Sequence, residues 1–366
     1  MRILAVDVGT GTQDILVFDS TSLVENCVKM IMPSPTALVA ERISRATESG
    51  RPILFTGLTM GGGPCKRAVS RHTARGLKAY ATVEAALTFH DNLDTVKTMG
   101  VTIVGPDEVT GVAELETIRM ADVDLGAIRS ALASFGVASD FDALAVAVLD
   151  HGFAPPGVSN RAFRFDHLRR LMAHRNTLVE FAYLAHELPD YLTRMKAVAG
   201  GVDADVPLLL LDTGVAAALG VLRDTAVCGN EHVVAVNAGN SHTIALHLDG
   251  NTILGLFEHH TGLLNPAYLD DLVSRLVRGT LTNEEVYEAG GHGAVVVRAE
   301  KRQPLVAVTG PRRGLMSGSS LRPHMGVPYG DTMLAGCYGL VSACGLRMEA
   351  WRDEIEQALS SVASGQ

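Results

Sequence analysis

The first part of the chain alternates short apolar runs with polar or glycine-rich turns. Residues 2–8 (RILAVDV) form one apolar run, and residues 13–19 and 24–32 form two more. The first run ends at an acid and is followed by Gly-Thr-Gly-Thr at 9–12. Short apolar runs bounded by turn residues are typical of β-strands. The pattern therefore predicts a three-strand meander whose first turn is rich in glycine.

The same order of runs and turns recurs in the second half of the chain. It comprises the run 232–237, the turn 238–241, the run 242–248, the turn 249–251 and the run 252–259. Helix-like sequence follows each copy, at 36–49 and at 266–278. Because both the order and the turn positions match, we interpret the two meanders as a duplication. A chance likeness between two sets of short strands is the alternative.

Apolar runs outside the two meanders predict further strands. They lie at 52–57, 101–104, 143–149, 207–211 and 304–309. Residues 166–199 have a helical pattern interrupted at Pro189, and another helix is predicted at about 331–345. A chain of 366 residues is long for one core and suits two domains. We predict an N-terminal domain at 1–224, with a helical insert at about 151–200, and a C-terminal domain at 225–366.

Composition and charge narrow the classes of function. Hydrophobic residues make up 47% of the chain and charged residues 19%, which allows a large buried core. The net charge of −9 argues against a general nucleic-acid binder, which usually has a basic excess. No apolar run is long enough to span a membrane, and the N-terminus, which carries Asp7, does not resemble a signal peptide. We expect a cytoplasmic protein that binds neither nucleic acid nor membrane.

The first glycine turn has the residues that a nucleotide phosphate requires. Gly9 and Gly11 allow the backbone N–H groups to approach phosphate oxygens, and Thr10 and Thr12 add hydroxyl donors. Asp7, at the end of the preceding strand, is a candidate ligand of Mg²⁺ through its water shell. A tight hairpin that merely needs glycine is the alternative interpretation of this turn.

Three further motifs follow the first glycine turn in order along the chain. Asp212 precedes the small-residue stretch 213–220, the turn 238–243 comes next, and the segment 308–311 leads to a second small-residue stretch at 330–340. With the first turn, this ordered set resembles the acetate and sugar kinase, heat-shock chaperone ATPase and actin superfamily. The sugar-kinase branch is the most similar.

The resemblance implies an α/β fold of two duplicated ribonuclease-H-like domains, the actin-like ATPase fold, around a central nucleotide cleft. It implies ATP and Mg²⁺ as cofactors, with Asp7 near the Mg²⁺. By resemblance, the nucleotide-binding residues are Asp7, Gly9, Thr10, Gly11, Thr12, Gln13, Gly239, Asn240, Ser241, His242, Gly310 and Pro311. Asp212 corresponds to the carboxylate that orients or deprotonates an acceptor hydroxyl. A helix N-cap is the alternative for this residue.

Three positions depart from the pattern of this superfamily. Pro311 replaces the second glycine of the turn on the adenine side, and Asn240 replaces the usual threonine. Asn237 stands where chaperone and actin members carry an acid. These departures leave the identity of the nucleotide open.

The whole chain also resembles a prokaryotic family labelled pyruvate formate-lyase activating enzyme-like. That label implies a radical iron–sulfur enzyme, whose cluster requires a CxxxCxxC motif. The five cysteines are scattered at positions 27, 65, 228, 337 and 344, and no three of them form that motif. We therefore expect reduced thiols rather than an iron–sulfur cluster.

Two other groups of residues carry candidate chemistry. Asp150 and His151 follow an apolar run, and such positions often face the ligand crevice of an α/β protein. Asp150 is thus a second candidate for proton or metal chemistry, and a capping role in the loop is its alternative. The glycines at 61–63, followed by Lys66 and Arg67, are a candidate anion site for a second substrate, or simply a flexible connection.

Several histidines lie beside glycines or at the ends of apolar runs. Neutral imidazoles are good ligands of zinc and iron, so His151, His260 and His292 are candidate ligands of a transition metal, with His242 and His259 nearby in the pattern. Glu258 is a natural companion ligand. Polar side chains without a metal are the alternative, because a single histidine is more often structural.

The ordered motifs favour an ATP-binding enzyme, a Mg-ATP-dependent phosphotransferase that acts on a small molecule. The expected partners are then a nucleotide and a small-molecule substrate. One alternative is an ATPase switch that activates or remodels a partner protein. A further alternative is a metal-dependent or non-catalytic relative of the superfamily. A fold shared by all three cannot choose between them.

Overall fold

The computed structural model describes residues 1–105, 108–109, 112–202 and 205–360. The strands in this part of the chain are β1 (Arg2–Val8), β2 (Thr12–Asp19), β3 (Val28–Pro33), β4 (Ile53–Gly57), β5 (Ala79–Ala81), β6 (Val101–Ile103), β7 (Glu116–Met120), β8 (Ala143–Val148), β9 (Ala182–Leu184), β10 (Leu208–Leu211), β11 (His232–Ala238), β12 (His242–Asp249), β13 (Thr252–His260), β14 (Gly293–Val296), β15 (Leu305–Thr309) and β16 (His324–Met325).

The α-helices in the same ranges are α1 (Pro35–Glu48), α2 (Gly63–Ala74), α3 (Val83–Ala86), α4 (Leu93–Thr98), α5 (Leu125–Ser134), α6 (Asn160–His174), α7 (Thr193–Gly201), α8 (Thr213–Val221), α9 (Pro266–Arg278), α10 (Asn283–Glu288), α11 (Ala335–Arg347) and α12 (Arg352–Ser360). None of the described helices is long and apolar enough to cross a membrane.

Two six-stranded sheets have five strands in the same order, β3-β2-β1-β8-β10 in the first and β13-β12-β11-β15-β16 in the second. The first sheet runs β3-β2-β1-β8-β10-β9 and the second runs β14-β13-β12-β11-β15-β16. In each, a three-strand antiparallel meander continues through its first strand to a parallel neighbour, β8 beside β1 and β15 beside β11. This repeated order confirms the predicted α/β fold of two duplicated ribonuclease-H-like units, the actin-like ATPase fold.

The first turns of the two meanders have the same backbone hydrogen bonds. Gly9 donates to the carbonyl of Thr12 at 2.9 Å, and Gly239 donates to that of His242 at 3.0 Å. A second pair links each turn to the chain after the third strand, because Ser34 donates to Gly11 and Thr261 donates to Ser241. The duplication thus extends to individual hydrogen bonds.

A third sheet lies between β3 and β8 in the sequence. It has four parallel strands in the order β6-β5-β4-β7 and a separate core that includes Phe55, Phe89 and Ile118. The sequence indicated strands near β4 and β6 but not the sheet. Two of its strands, β5 and β6, have only three residues, which is too short for a periodic pattern.

The segment 151–200 is less helical than predicted. It contains α6 and most of α7, but β9 lies between them and pairs with β10 at the edge of the first sheet, with Tyr183 opposite Leu210. The prediction that 166–199 is helical apart from a break at Pro189 was therefore wrong at β9, whereas α6 and α7 lie where helix was predicted. The open edge of β10 offers hydrogen bonds to an apolar segment, and this tertiary pairing outweighs local helix propensity.

Helices α8 and α11 cross at glycines and join the two large sheets. A Cβ atom at Gly220 would overlap the carbonyl of Ala335, and one at Gly339 would overlap that of Ala216. Helix α11 also contacts β1, β2 and β8, although it follows the second sheet in sequence. One buried cluster accordingly contains residues of both sheets, for example Ile3 and Val233, together with Leu340 of α11. The boundary at 224/225 stays a prediction.

Candidate functional site

A cleft of about 310 Å³ lies where the three sheets approach one another. Most predicted nucleotide-binding residues line it: Asp7, Gly9, Thr10, Thr12, Gly239, Asn240, Ser241, His242, Gly310 and Pro311. Gly11 is not part of the lining, but it contacts Asn240, since a Cβ atom there would overlap the Asn240 amide. Gln13 is also outside the lining because it is buried and donates to the carbonyl of Asp122 at 2.9 Å. The two glycine turns therefore face each other across one space.

Two carboxylates lie beneath the first glycine turn. Asp7 and Asp14 are cross-strand neighbours on β1 and β2, and each has an Oδ1 atom that is buried without a hydrogen-bond partner. Burial raises the pKa of Asp7 well above its usual range, and the charges of Asp14 and Asp212 raise it further. Burial also raises the pKa of Asp14 to about 7, although a hydrogen bond from Thr12 opposes the shift. A bound cation would stabilise both ionised groups.

Asp7 is held against the start of α11. A Cβ atom at Gly336 would overlap Asp7 Oδ2, so only glycine allows this approach. On the opposite side of the cleft, Gly310 has a φ of 95°, and a side chain there would overlap both Asn237 and the carbonyl of Ala238. Glycine at position 310 is thus required by backbone conformation and by space, and Pro311 follows it in the lining.

Residues of the segment that contains the third sheet line one end of the cleft, which we call the polar end. Gly61, Gly62 and Gly63 line the cleft where α2 begins, whereas Lys66 and Arg67 are exposed and are not among the lining residues. Asp122 accepts a hydrogen bond from the Gly61 backbone at 3.1 Å and is paired with Arg194, whose Nε lies 2.7 Å away. This ion pair fixes the loop before α2 in place.

Asp91 is a cleft carboxylate that sequence reasoning missed. It accepts a hydrogen bond from Asn160 at 2.9 Å, and both residues line the cleft. Burial raises the pKa of Asp91 above its usual value. No motif surrounds Asp91 in the sequence, and only the fold brings it to the polar end.

The two predicted catalytic acids already have structural partners. Asp150 lines the cleft, but its Oδ1 accepts from the Gly152 backbone and its Oδ2 accepts from Met195. Asp212 caps α8 through Gly214 at 2.9 Å, and its Oδ2 lies 2.8 Å from Arg164. Asp212 is not among the lining residues of the cleft. The structural alternatives that the sequence left open for both acids are present, and their catalytic roles stay predictions.

A compact group of histidines adjoins the second glycine turn. His151 follows β8, His242 begins β12, Glu258 lies in β13 and His292 precedes β14; we call these four residues the histidine cluster. One potential metal-binding atom from each lies within 4.8 Å of those from the others. His151 Nε2 is 3.1 Å from His292 Nε2, and Glu258 Oε1 is 3.6 Å from His292 Nδ1.

His260 is beside the histidine cluster but not part of it. Its ring centroid lies 5.0 Å from that of His242 and 4.8 Å from that of His292. The structure thus groups the predicted ligands His151 and His292 with Glu258, the predicted companion ligand, and the third histidine of the cluster is His242 rather than His260. Burial is the main cause that lowers the pKa of His151, His242 and His292, so these imidazoles are neutral, the form that binds metals.

Arg164 connects the histidine cluster to the first half of the chain. This side chain of α6 is 4% exposed, and it lies 2.8 Å from both Glu258 and Asp212. It also donates to the carbonyl of Asp150 at 3.0 Å. Burial raises the pKa of Glu258, but the nearby Arg164 charge contributes to a net lowering, so Glu258 stays ionised. Nothing in the sequence distinguished Arg164 from the other arginines of this helix.

The cysteines do not form a metal site in the part of the chain that the structure describes. Cys27, Cys65, Cys337 and Cys344 are buried, Cys228 is exposed, and all five are free thiols. The group of potential metal ligands found among the described residues contains histidines and a glutamate but no cysteine. This agrees with the absence of a CxxxCxxC motif in the sequence.

Several solved structures are similar to the chain at low identity. The ethanolamine utilization protein EutJ from Carboxydothermus hydrogenoformans is 13% identical, with 93% of this chain and 89% of that chain covered and a TM-score of 0.33. The activator of the 2-hydroxyisocaproyl-CoA dehydratase from Clostridium difficile, with bound ADPNP, is 11% identical over 100% of both chains, with a TM-score of 0.35. A ROK hexokinase from Thermus thermophilus is 12% identical over 69% of this chain and 49% of that chain, with a TM-score of 0.24.

No curated protein matches the sequence. One family model does match, over residues 60–315, which is more than half of the chain. This span includes three of the four strands of the third sheet (β5, β6 and β7), all four residues of the histidine cluster and the second glycine turn. The chain therefore belongs to the family described as "Putative pyruvate format-lyase activating enzyme (DUF1786)".

Proposed function

We propose that the cleft binds Mg-ATP and that the protein is an ATP-dependent phosphotransferase acting on a small molecule. One observation carries the proposal: two glycine turns with the same backbone hydrogen bonds face one cleft, and the first lies above two buried carboxylates. Glycine turns bring backbone N–H groups close to phosphate oxygens, and a divalent cation offsets the phosphate charge. The residues that resemble the sugar-kinase branch support the same assignment.

Asp7 and Asp14 suit a Mg²⁺ ion. Each has one carboxylate oxygen that is buried without a partner, and both carboxylates have raised pKa values because of burial. Carboxylate oxygens are the ligands that Mg²⁺ prefers, with several waters kept in its shell. The two residues would hold the cation below the first turn, between the protein and the polyphosphate.

The acceptor would occupy the polar end of the cleft, beside the third sheet. The first turn of α2 offers backbone donors at Gly62 and Gly63, and Asp91 and Asn160 offer polar side chains. Asp91 lines the cleft and has a raised pKa because of burial. Both carboxylate oxygens of Asp150 and of Asp212 are engaged by backbone N–H groups or by Arg164. We therefore assign Asp91 as the candidate group that accepts the proton of a substrate hydroxyl, and Asp150 and Asp212 as positioning residues.

Calorimetry of nucleotide binding tests the first part of the proposal. ATP with Mg²⁺ is titrated into the wild-type protein, into Asp7→Ala and into the control Asp19→Ala, whose carboxylate lies at the opposite end of the same strand pair. We expect binding by the wild type and by Asp19→Ala, and affinity about 100-fold lower for Asp7→Ala, which corresponds to about 2.7 kcal/mol. Absence of binding by the wild type would overturn the proposal.

Transfer of a labelled phosphoryl group tests the second part. The protein is incubated with Mg-ATP labelled at the γ-phosphate and a mixture of small hydroxylated and carboxylated metabolites. A labelled small molecule that disappears with Asp91→Asn supports phosphotransfer with Asp91 at the acceptor. If only inorganic phosphate is released, with every metabolite tried, the phosphotransferase assignment is wrong even though nucleotide binding stands.

A further inference from the structure

We propose that the histidine cluster binds a divalent transition metal ion, with His151, His242, Glu258 and His292 as ligands. The inference does not depend on the proposed phosphotransferase activity. Three imidazoles and one carboxylate are a ligand set that zinc and ferrous iron favour, whereas Mg²⁺ and Ca²⁺ prefer oxygen ligands alone. The metal would be separate from the Mg²⁺ proposed near Asp7.

The spacing of the cluster is close to what a tetrahedral ion needs. Zinc–ligand bonds of about 2.0–2.1 Å place two ligand atoms about 3.3 Å apart in a tetrahedron. His151 Nε2 and His292 Nε2 are 3.1 Å apart, and all four candidate atoms lie within 4.8 Å of one another. Side-chain rotations that shorten the longest of these separations by about 1.5 Å would complete the geometry.

The cluster also contains buried atoms that lack a partner. Glu258 is fully buried and His292 is 1% exposed, yet Glu258 Oε1 and His292 Nδ1 have no hydrogen-bond partner. Leaving a buried polar atom unsatisfied costs about 1–3 kcal/mol, and more for a charged group. A cation at the centre of the cluster would remove this cost for Glu258 Oε1. His292 would bind the same cation through one ring nitrogen, Nε2, the atom that lies 3.1 Å from His151 Nε2.

Arg164 orients the carboxylate for this role. It binds Glu258 Oε2 through Nε and Nη2, both at 2.8 Å, and leaves Oε1 free to face the histidines. Such a contact behind a ligand fixes its orientation and strengthens metal binding. A buried carboxylate held in place on one oxygen and unpartnered on the other is the arrangement expected of a metal ligand.

The position of the metal would link the two halves of the cleft. His151 follows β8 of the first sheet, while the other three ligands belong to the second-sheet segment, and His242 closes the second glycine turn. Both His151 and His242 line the cleft. A bound ion would therefore fix the second turn against the first half.

The test measures metal binding directly and without nucleotide. Protein produced without a histidine tag is stripped with a chelator and titrated with Zn²⁺, and separately with Co²⁺, whose visible absorption reports four-coordinate binding. We expect one ion per chain in the wild type. The variants His292→Ala and Glu258→Gln should weaken binding by at least about 100-fold, since even contacts behind a ligand are worth about 10- to 100-fold.

Two histidine variants serve as controls, and one further variant guards against misfolding. His174→Ala removes an exposed histidine of α6, and His247→Ala removes one member of the separate His232–His247 pair, whose Nε2 atoms are 2.8 Å apart. Both should retain the ion. If His292→Ala and Glu258→Gln do not fold, His151→Ala, at the cleft surface, replaces them.

Thermal unfolding with and without Zn²⁺ provides an independent measurement. A metal that binds only the native protein raises its melting temperature. We expect this rise in the wild type and the controls but not in the cluster variants. The proposal is overturned if the stripped wild type takes up no ion, or if the cluster variants bind Zn²⁺ as tightly as His174→Ala. Absence of ATP binding would not contradict the proposal of a metal site.

Discussion

The two glycine turns have the same backbone but different side-chain chemistry. Gly9 and Gly239 donate equivalent hydrogen bonds, at 2.9 and 3.0 Å, to the carbonyl of the residue three positions later. On the strands that flank the first turn, Asp7 is opposite Asp14, whereas the corresponding pair at the second turn is Asn237 and Ile244. The first copy therefore concentrates carboxylates, and the second lacks them at the same positions.

The second copy carries imidazoles where the first has none. His242 is opposite His260 across β12 and β13, while the equivalent residues in the first sheet are Thr12 and Pro33. Ile244 is opposite Glu258, and its counterpart Asp14 is opposite Ile31. Each of these two equivalent pairs thus contains one carboxylate, which lies on β2 in the first copy and on β13 in the second. The two carboxylates belong to different types of candidate site.

This difference shows what the duplication preserves. The glycines and the hydrogen bonds of the turn are repeated because they set the path of the backbone. The side chains around each turn are free to differ, and here they suit two cations of different character: oxygen ligands for a hard ion at the first turn, nitrogen ligands for a transition metal at the second. Variants that alter one copy at a time can separate the two sites.

The largest effect is expected at Arg164, which joins the two copies. Arg164→Met would leave Glu258 and Asp212 as buried carboxylates without their cation. Removing one partner of a buried ion pair costs about 3–5 kcal/mol, so we expect the free energy of unfolding to fall by about 4 kcal/mol. Denaturant unfolding in the presence of a chelator measures this change.

Two controls accompany the Arg164 variant. Arg175→Met breaks an exposed pair with Glu180 and should change the free energy of unfolding by less than about 1 kcal/mol. Adding Glu258→Gln and Asp212→Asn to Arg164→Met should recover much of the lost stability, because no buried charge is then unpaired. If the single and triple variants have the same free energy of unfolding, the charge of Arg164 does not stabilise the fold. The proposed electrostatic link between the two copies would then be wrong.

The second effect concerns the acids of the first copy and depends on pH. The pKa of Asp14 rises from 3.8 to about 7 in the folded protein, so the fold favours its protonated form. The stability associated with this group is complete below pH 4 and is lost as the pH rises to about 7. We expect Asp14→Asn to be more stable than the wild type at pH 8, on the order of 3 kcal/mol without divalent cations.

Unfolding in denaturant between pH 4.5 and pH 8 measures the Asp14 effect as the difference between variant and wild type. Asp19→Asn is the matched control on the same strand, because hydrogen bonds from Thr21 lower the pKa of Asp19 and reverse the sign. Mg²⁺ should reduce the difference at high pH by stabilising the ionised carboxylate. If the stability difference between variant and wild type does not vary with pH, the pKa of Asp14 is not raised in the folded protein.

Much of the fold was predictable because its signals are local. Apolar runs bounded by turns predicted the strands of both meanders, and helix-like sequence predicted the helices that follow them. The small-residue stretches predicted α8 and α11. Strands near β4 and β6 were predicted, but the third sheet was not, and the region of β9 was predicted to be helical. The strands β5 and β9 have only three residues each, and β9 forms where β10 leaves an edge to which it can pair. Such information is distributed over the fold and is absent from any one window of sequence.

The candidate site was predictable only in part, for a similar reason. The glycine motifs identified the residues that line the cleft, since they lie at strand ends that meet in this fold. Arg164 was not identified, because Glu258 is 94 residues away along the chain. The histidines were recognised as a set, but the sequence selected His260, whereas the structure groups His242 with His151 and His292. Residues that face each other across β12 and β13 cannot be ranked as ligands from spacing alone.

The smallest effect is expected at Asn237, the counterpart of Asp7 in the second copy. Asn237 lines the cleft but carries no charge, so Asn237→Ala should weaken Mg-ATP binding by less than about tenfold, or about 1.4 kcal/mol. Calorimetry beside Asp7→Ala measures the contrast, and Asn251→Ala, in the exposed turn at the far end of the same meander, is the control. An equal loss for Asn237→Ala and Asp7→Ala would mean that the charge of Asp7 does not set the first turn apart. A small loss of Mg-ATP affinity for Asn237→Ala with a large loss for Asp7→Ala would assign cation binding to the first copy. The second turn would then contact the phosphate and contribute His242 to the histidine cluster.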